Sequence, residues 1–162
     1  MAPVSRPVSL PHPLLPRADW ADRFTLALAV DDLTASEAAR LALENMPRWT
    51  RFLMVLRNRI AGLLGLKAAA DRIETSALRI GGFPLISAND ERVVLGFDDR
   101  HLDFRIVVDV RPDRPSGRTL SVLTLVRTNN LFGRLYLAAV LPFHKLIVRT
   151  LLRRIARRLP ER

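Results

Sequence analysis

Between residues 78 and 128 the chain alternates apolar and polar residues with a period of two, and this stretch constrains the fold more than any other. "LRIGGFPLIS", "RVVLGF", "HLDFRIVVDV" and "RTLSVLTLVRT" read as successive strands, separated by "AND", "DDR" and "RPDRPSG". Connectors this short cannot carry a parallel crossover, so the strands are antiparallel neighbours in a meander of four or more. The next segment, "NLFGRLYLAAVLPFHKLIVRTLLRRIARRLP", is spaced as one long helix that Pro142 should kink and Pro160 should end. A twisted sheet with one apolar face needs a cover, and one long amphipathic helix supplies it.

The residues before the meander complete the order. "DRFTLALAV" (22–30) alternates Phe24, Leu26 and Leu28 against Thr25 and Ala27, a first strand. Thr34 followed three residues later by Glu37 predicts a capping box and a helix start. Pro47 opens a second helix, in which Trp49, Phe52, Leu53, Leu56, Ile60, Leu63 and Leu64 recur at helical spacing up to a C-cap at Gly65. The class is α+β: a curved antiparallel sheet wrapped on a long kinked C-terminal helix, with two short helices after the first strand. Sheet and helix do not close along their whole length, so a cavity is expected between them. Five prolines in the first sixteen residues make 1–16 a flexible lead-in, and 17–162 a single domain.

This element order resembles the helix-grip fold of START-domain, polyketide-cyclase and birch-pollen-allergen proteins, the SRPBCC superfamily. More closely, "VVLGFDDRHLDFRIVV", "TLVRTNNLFGRLYLAAVLPFHKLIVRTLLRR" and "GFPLIS" are similar to a bacterial domain of unknown function within that superfamily, found alone and also attached to short-chain-dehydrogenase-like domains. The likeness covers roughly residues 14–158. It implies a fold and a ligand cavity, and transfers no catalytic residue. Residues 1–162 carry no dehydrogenase-like pattern, and "GGFP" at 81–84 lies inside a strand pattern without dinucleotide-binding spacing.

Composition narrows the function classes. The absence of cysteine excludes disulfides, thiolate nucleophiles and zinc ribbons. The three histidines lack metal-ligand spacing, and neither a P-loop nor a nucleophile elbow occurs, so neither metal nor cofactor is expected. The net charge of +10 is concentrated: residues 47–67 supply +5 and 145–162 supply +6, leaving −1 elsewhere. Arg153, Arg154, Arg157 and Arg158 at the end of the last helix suit weak contact with an anionic membrane or an acidic protein. Nucleic acid is disfavoured as a partner, because aromatic platforms for bases are sparse at 6%. The runs "LYLAAVLPF" and "AGLLGL" are too short to span a bilayer, and the chain reads as soluble and cytoplasmic.

The polar candidates are few. In "GFDDRHLDFR" the residues Asp98, Asp99 and Arg100 fall at a chain reversal. Beyond it Leu102, Phe104, Ile106, Val108 and Val110 share one strand face, and His101, Asp103 and Arg105 the other. Cross-strand ion pairing explains the charged set, while a sharper reading pairs His101 as base with Asp99 as orienter. His144 lies within the apolar stripe of the last helix formed by Leu137, Val140, Leu141, Val148, Leu151, Ile155 and Leu159. It therefore points to the sheet, where Arg127, Asn129, Thr124 or a water are candidate partners. Asn129 or Asn130 caps this helix. The reading that follows is a domain binding a small apolar or amphipathic molecule, with Phe104, Ile106, Val122, Tyr136, Leu137 and Leu141 lining the cavity and His144 offering a polar contact. Two alternatives stand beside it: a cyclase, dehydratase or isomerase using His144 or His101, and a basic adaptor at a membrane or protein surface.

Overall fold

The computed structural model describes residues 2–44, 78–113 and 117–159. The strands are β1 (Val4–Arg6), β2 (Trp20–Leu28), β3 (Arg79–Ile80), β4 (Phe83–Ala88), β5 (Arg92–Asp98), β6 (Leu102–Pro112) and β7 (Arg118–Thr128). The helices are α1 (Ala35–Leu43) and α2 (Leu131–Arg158). All seven strands form one antiparallel sheet in the order β1-β2-β7-β6-β5-β4-β3, so the first long strand pairs with the last. This is the expected α+β sheet-plus-helix arrangement, consistent with a helix grip. The second short helix, expected over 47–65, lies outside the described residues.

Two local readings are corrected. Residues 78–87 are not one strand: Gly81 and Gly82 have φ of +59° and +87° and form the two-residue turn between β3 and β4. Positive φ at both central positions is what a tight hairpin requires and what glycine alone adopts freely. A Cβ on Gly81 would also lie 2.4 Å from that of Leu43, where α1 ends against the turn. The second correction concerns α2. By length and composition it is long and apolar enough to cross a bilayer, with an 18-residue window of mean hydropathy 1.5. Helical structure continues unbroken through Pro142, which leaves the carbonyl of Ala138 without its usual N–H donor on the exposed side.

The sheet buries both faces. On one side Phe24, Leu26, Leu28, Val93, Leu95, Val108, Val110 and Leu120 meet α1 and the second half of α2 through Val148, Leu151, Leu152 and Ile155. The inner face of α1 is Ala35, Ala38, Ala39 and Ala42, whose small side chains let the helix lie close to its neighbours. On the other side Val94, Val107, Leu123 and Leu125 are covered by Val8, Leu14, Leu15 and Ala18. The proline-rich segment thus contributes β1 and much of the cover of the second face.

The capping box forms as expected. Thr34 donates through its N–H and its hydroxyl to Glu37 Oε2 at 2.8 and 2.7 Å, and its Oγ1 accepts from the Glu37 N–H. These bonds, the backbone one first, hold the Glu37 carboxyl below its ordinary value. A depressed carboxylate stabilises the fold above its unfolded value and loses that contribution as pH falls through the folded one. Thr34→Ala is therefore expected to cost about 1 kcal/mol at neutral pH. In urea melts the gap from wild type should narrow as pH drops below 4.5, the ordinary carboxyl value for this residue.

Candidate functional site

The register sets the α2-facing side of the sheet in cross-strand rows. Leu26–Leu120–Val110 is followed by Phe24–Val122–Val108–Val93, then Asp22–Thr124–Ile106–Leu95, then Trp20–Val126–Phe104–Phe97. Burial falls along this series. The first row is at most 2% exposed, whereas Trp20, Phe104 and Phe97 in the last are only half-buried. The helix shows the same gradient. Val148, Leu151, Leu152 and Ile155 are buried, but Tyr136, Leu137, Val140, Leu141 and His144, earlier on the same face, are half-buried. Sheet and helix close tightly at one end and less completely at the other.

The third row interrupts this apolar surface with Asp22 and Thr124, both buried. From α2, His144 Nε2 lies 3.1 Å from Asp22 Oδ1, and its ring stands edge-on to Trp20 with centroids 5.4 Å apart. The other carboxylate oxygen, Asp22 Oδ2, is buried and has no hydrogen-bond partner. Such an atom forgoes the solvation it has in water, a cost of about 1–3 kcal/mol unless a donor arrives. His144 thus faces the sheet as expected, but its partner is Asp22, which is not among the candidates Arg127, Asn129 and Thr124 and stands one strand away from Thr124 in the same row. All six apolar candidates lie on the surfaces that meet here. Phe104, Ile106 and Val122 project from the sheet on the α2 side, and Phe104 stands edge-on to Phe97 and Phe83. Leu137 and Leu141 lie on the inward stripe of α2, with Tyr136 at its edge. Sequence reasoning missed Asp22 and Trp20.

The charged hairpin lies across the sheet from this row. Asp103 pairs with its register partner Arg127 at 3.5 Å, Arg105 reaches Asp98 at 2.6 Å, and Arg92 meets Asp109 at 2.6 Å. Hydrogen bonding to Asp109 raises the Arg92 guanidinium, against desolvation that lowers it. The proposed base–orienter pair of His101 and Asp99 does not form. His101 Nδ1 instead meets the Asn130 amide, with Asn130 Nδ2 at 2.9 Å, and the ring stacks edge-on against Phe132. Asn130 is the cap of α2, accepting the Gly133 N–H at 3.0 Å. Gly133 lets that first turn rest on the hairpin, because a Cβ there would stand 2.1 Å from the His101 carbonyl oxygen. The hairpin is thus a structural seat for α2. Among the described residues no group of three or more acidic or histidine side chains is placed to hold a metal ion.

A family model described as "Protein of unknown function (DUF2867)" matches residues 14–151. The chain belongs to the DUF2867 family. No curated protein and no solved structure matches it. Within the DUF2867 span fall all of β2 to β7 and the first three-quarters of α2, and therefore the whole Asp22–His144 row and both of its walls.

Proposed function

We propose that this DUF2867 domain binds a small amphipathic molecule between the sheet and the first half of α2. Phe104, Ile106, Val122, Tyr136, Leu137 and Leu141 take its apolar body, and His144 with Asp22 takes its polar end. The observation that carries this reading is Asp22 Oδ2, buried beside His144 in an otherwise apolar surface and lacking a donor. A ligand hydroxyl would satisfy it, whereas a ligand carboxylate would place like charges together in a poorly solvated site. The half-buried walls suit an exchangeable occupant better than a closed core does. The helix-grip likeness to the SRPBCC superfamily and a bacterial, cytoplasmic setting accord with this reading, and the fold hosts carriers and enzymes alike.

The test combines native mass spectrometry of the purified chain with competition against a bound uncharged environment-sensitive dye. Decanol should displace the dye about tenfold or more better than decanoate does, the value of one hydrogen bond to a charged group. Asp22→Asn should narrow that preference. Failure of the chain to bind dye or to retain any small molecule, or equal competition by both compounds, removes the proposal.

A second reading keeps the same residues. Asp22 orients the His144 ring as a carboxylate orients a general base, the arrangement a cyclase, dehydratase or isomerase uses. It requires that His144→Ala abolish turnover of the retained molecule while the chain still folds, at a melting temperature lowered by the loss of the partner of Asp22 Oδ1. His101, tied to the α2 cap, is not favoured for that role.

A further inference from the structure

The outward face of α2 changes character halfway along its length. Leu131, Leu135, Pro142 and Leu146 follow one another at helical spacing, and Arg149, Arg153 and Arg157 continue the same line, Arg149 turning its guanidinium back over the Phe24 ring at 5.4 Å from the centroid. Leu131, Leu135, Phe143 and Leu146 are 70%, 62%, 49% and 57% exposed. The apolar part runs for about 22 Å along the axis at 1.5 Å per residue, and the arginine part for about 12 Å. The helix holds seven basic residues (Arg134, Lys145, Arg149, Arg153, Arg154, Arg157 and Arg158) and no acidic one.

A core helix of this hydropathy would bury its apolar window, but only 17% of that window is buried. A spanning helix would need lipid or protein all round, yet Val148, Leu151, Leu152 and Ile155 are already packed under the sheet and α1. An exposed apolar face in line with a purely basic one, on a helix held by its other side, matches an interfacial helix. A second copy of the chain would bring seven more cations and no anion to this face, so charge complementarity selects an anionic surface instead.

The geometry points to α2 as a docking face for an anionic lipid bilayer, with Leu131, Leu135, Phe143 and Leu146 entering the acyl boundary and Arg153 and Arg157 lying among the headgroups. Docking uses the outward side of the helix and does not depend on what the inward side binds.

The experiment is flotation of the full chain with vesicles of phosphatidylcholine alone or with 30% phosphatidylglycerol. Binding to the anionic vesicles should exceed binding to the neutral ones by about tenfold or more and should weaken at high salt. The triple variant Leu135→Ser, Phe143→Ser, Leu146→Ser should lose about tenfold or more in binding, and Arg153→Gln with Arg157→Gln should lose the anionic preference. All five positions are exposed, so both variants should melt close to wild type. The idea is overturned by absence of vesicle binding or by full binding of the triple variant. It is equally overturned by a lipid-free dimer that the triple variant converts to monomer, which would make this face a self-interface.

Discussion

Asp103→Ala is expected to lower stability by about 2–3 kcal/mol, more than any other single change in the charged hairpin. Its carboxylate is buried and serves three donors. Oδ1 accepts from Asn129 Nδ2 at 2.9 Å and from the Asp99 N–H at 3.2 Å, while Oδ2 faces Arg127. Removing it takes a charged acceptor from three donors that are themselves half-buried or exposed, and hydrogen bonds to a charged group are worth more than neutral ones. Arg127 is partly exposed and recovers some solvation, which keeps the figure below the 3–5 kcal/mol typical of a fully buried pair. Asp103→Asn preserves one acceptor and should cost about half as much. Because Asn129 and Asn130 also hold the carbonyls of Asp99 and Arg100, the loss should extend to the cap of α2. Hydrogen exchange should then quicken over 131–136 in Asp103→Ala while the protection of Val107 and Leu123 stays near wild type. A change in stability under 0.5 kcal/mol would mean that the hairpin charges are solvated independently and do not seat the helix.

The strand faces were legible wherever one side is apolar and the other charged. Leu102, Phe104, Ile106, Val108 and Val110 share the helix side, and Asp103 and Arg105 share the ion-paired side, because an alternation of two leaves no other register. The turn at Gly81–Gly82 was obscured because the apolar residues on either side keep the alternation going across it. Asp22 was within reach: it falls in the inward phase of Phe24, Leu26 and Leu28, and an acid at an inward position marks a buried polar site. The role of residues 8–18 had a fainter signal. Strand β7 is apolar on both faces, through Leu120 and Val122 on one side and Leu123 and Leu125 on the other, which requires a cover on each. Nothing in the spacing of Val8, Leu14 and Leu15 identifies them as that cover, since their contacts follow from the path of an irregular chain.

The gradient along α2 yields the largest expected effect and the sharpest separation of stability from binding. Leu152 is fully buried among β-sheet and α1 side chains, and Leu152→Ala is expected to cost about 3–4 kcal/mol, within the range for deleting a buried leucine side chain. Leu137 lies four turns earlier on the inward stripe and is half-buried, so Leu137→Ala should cost about 1 kcal/mol or less. If the first half of α2 is a ligand wall, the order reverses for binding. Leu137→Ala should weaken dye and decanol binding about three- to tenfold, the worth of the apolar surface removed, while Leu152→Ala, measured where it is still folded, should bind nearly as wild type. Urea melts and dye titrations of the two variants decide the matter. Equal destabilisation by both would mean that α2 packs on the sheet along its whole length. Its inward half-buried residues would then be an edge of the core, and Asp22 Oδ2 would need its donor from solvent.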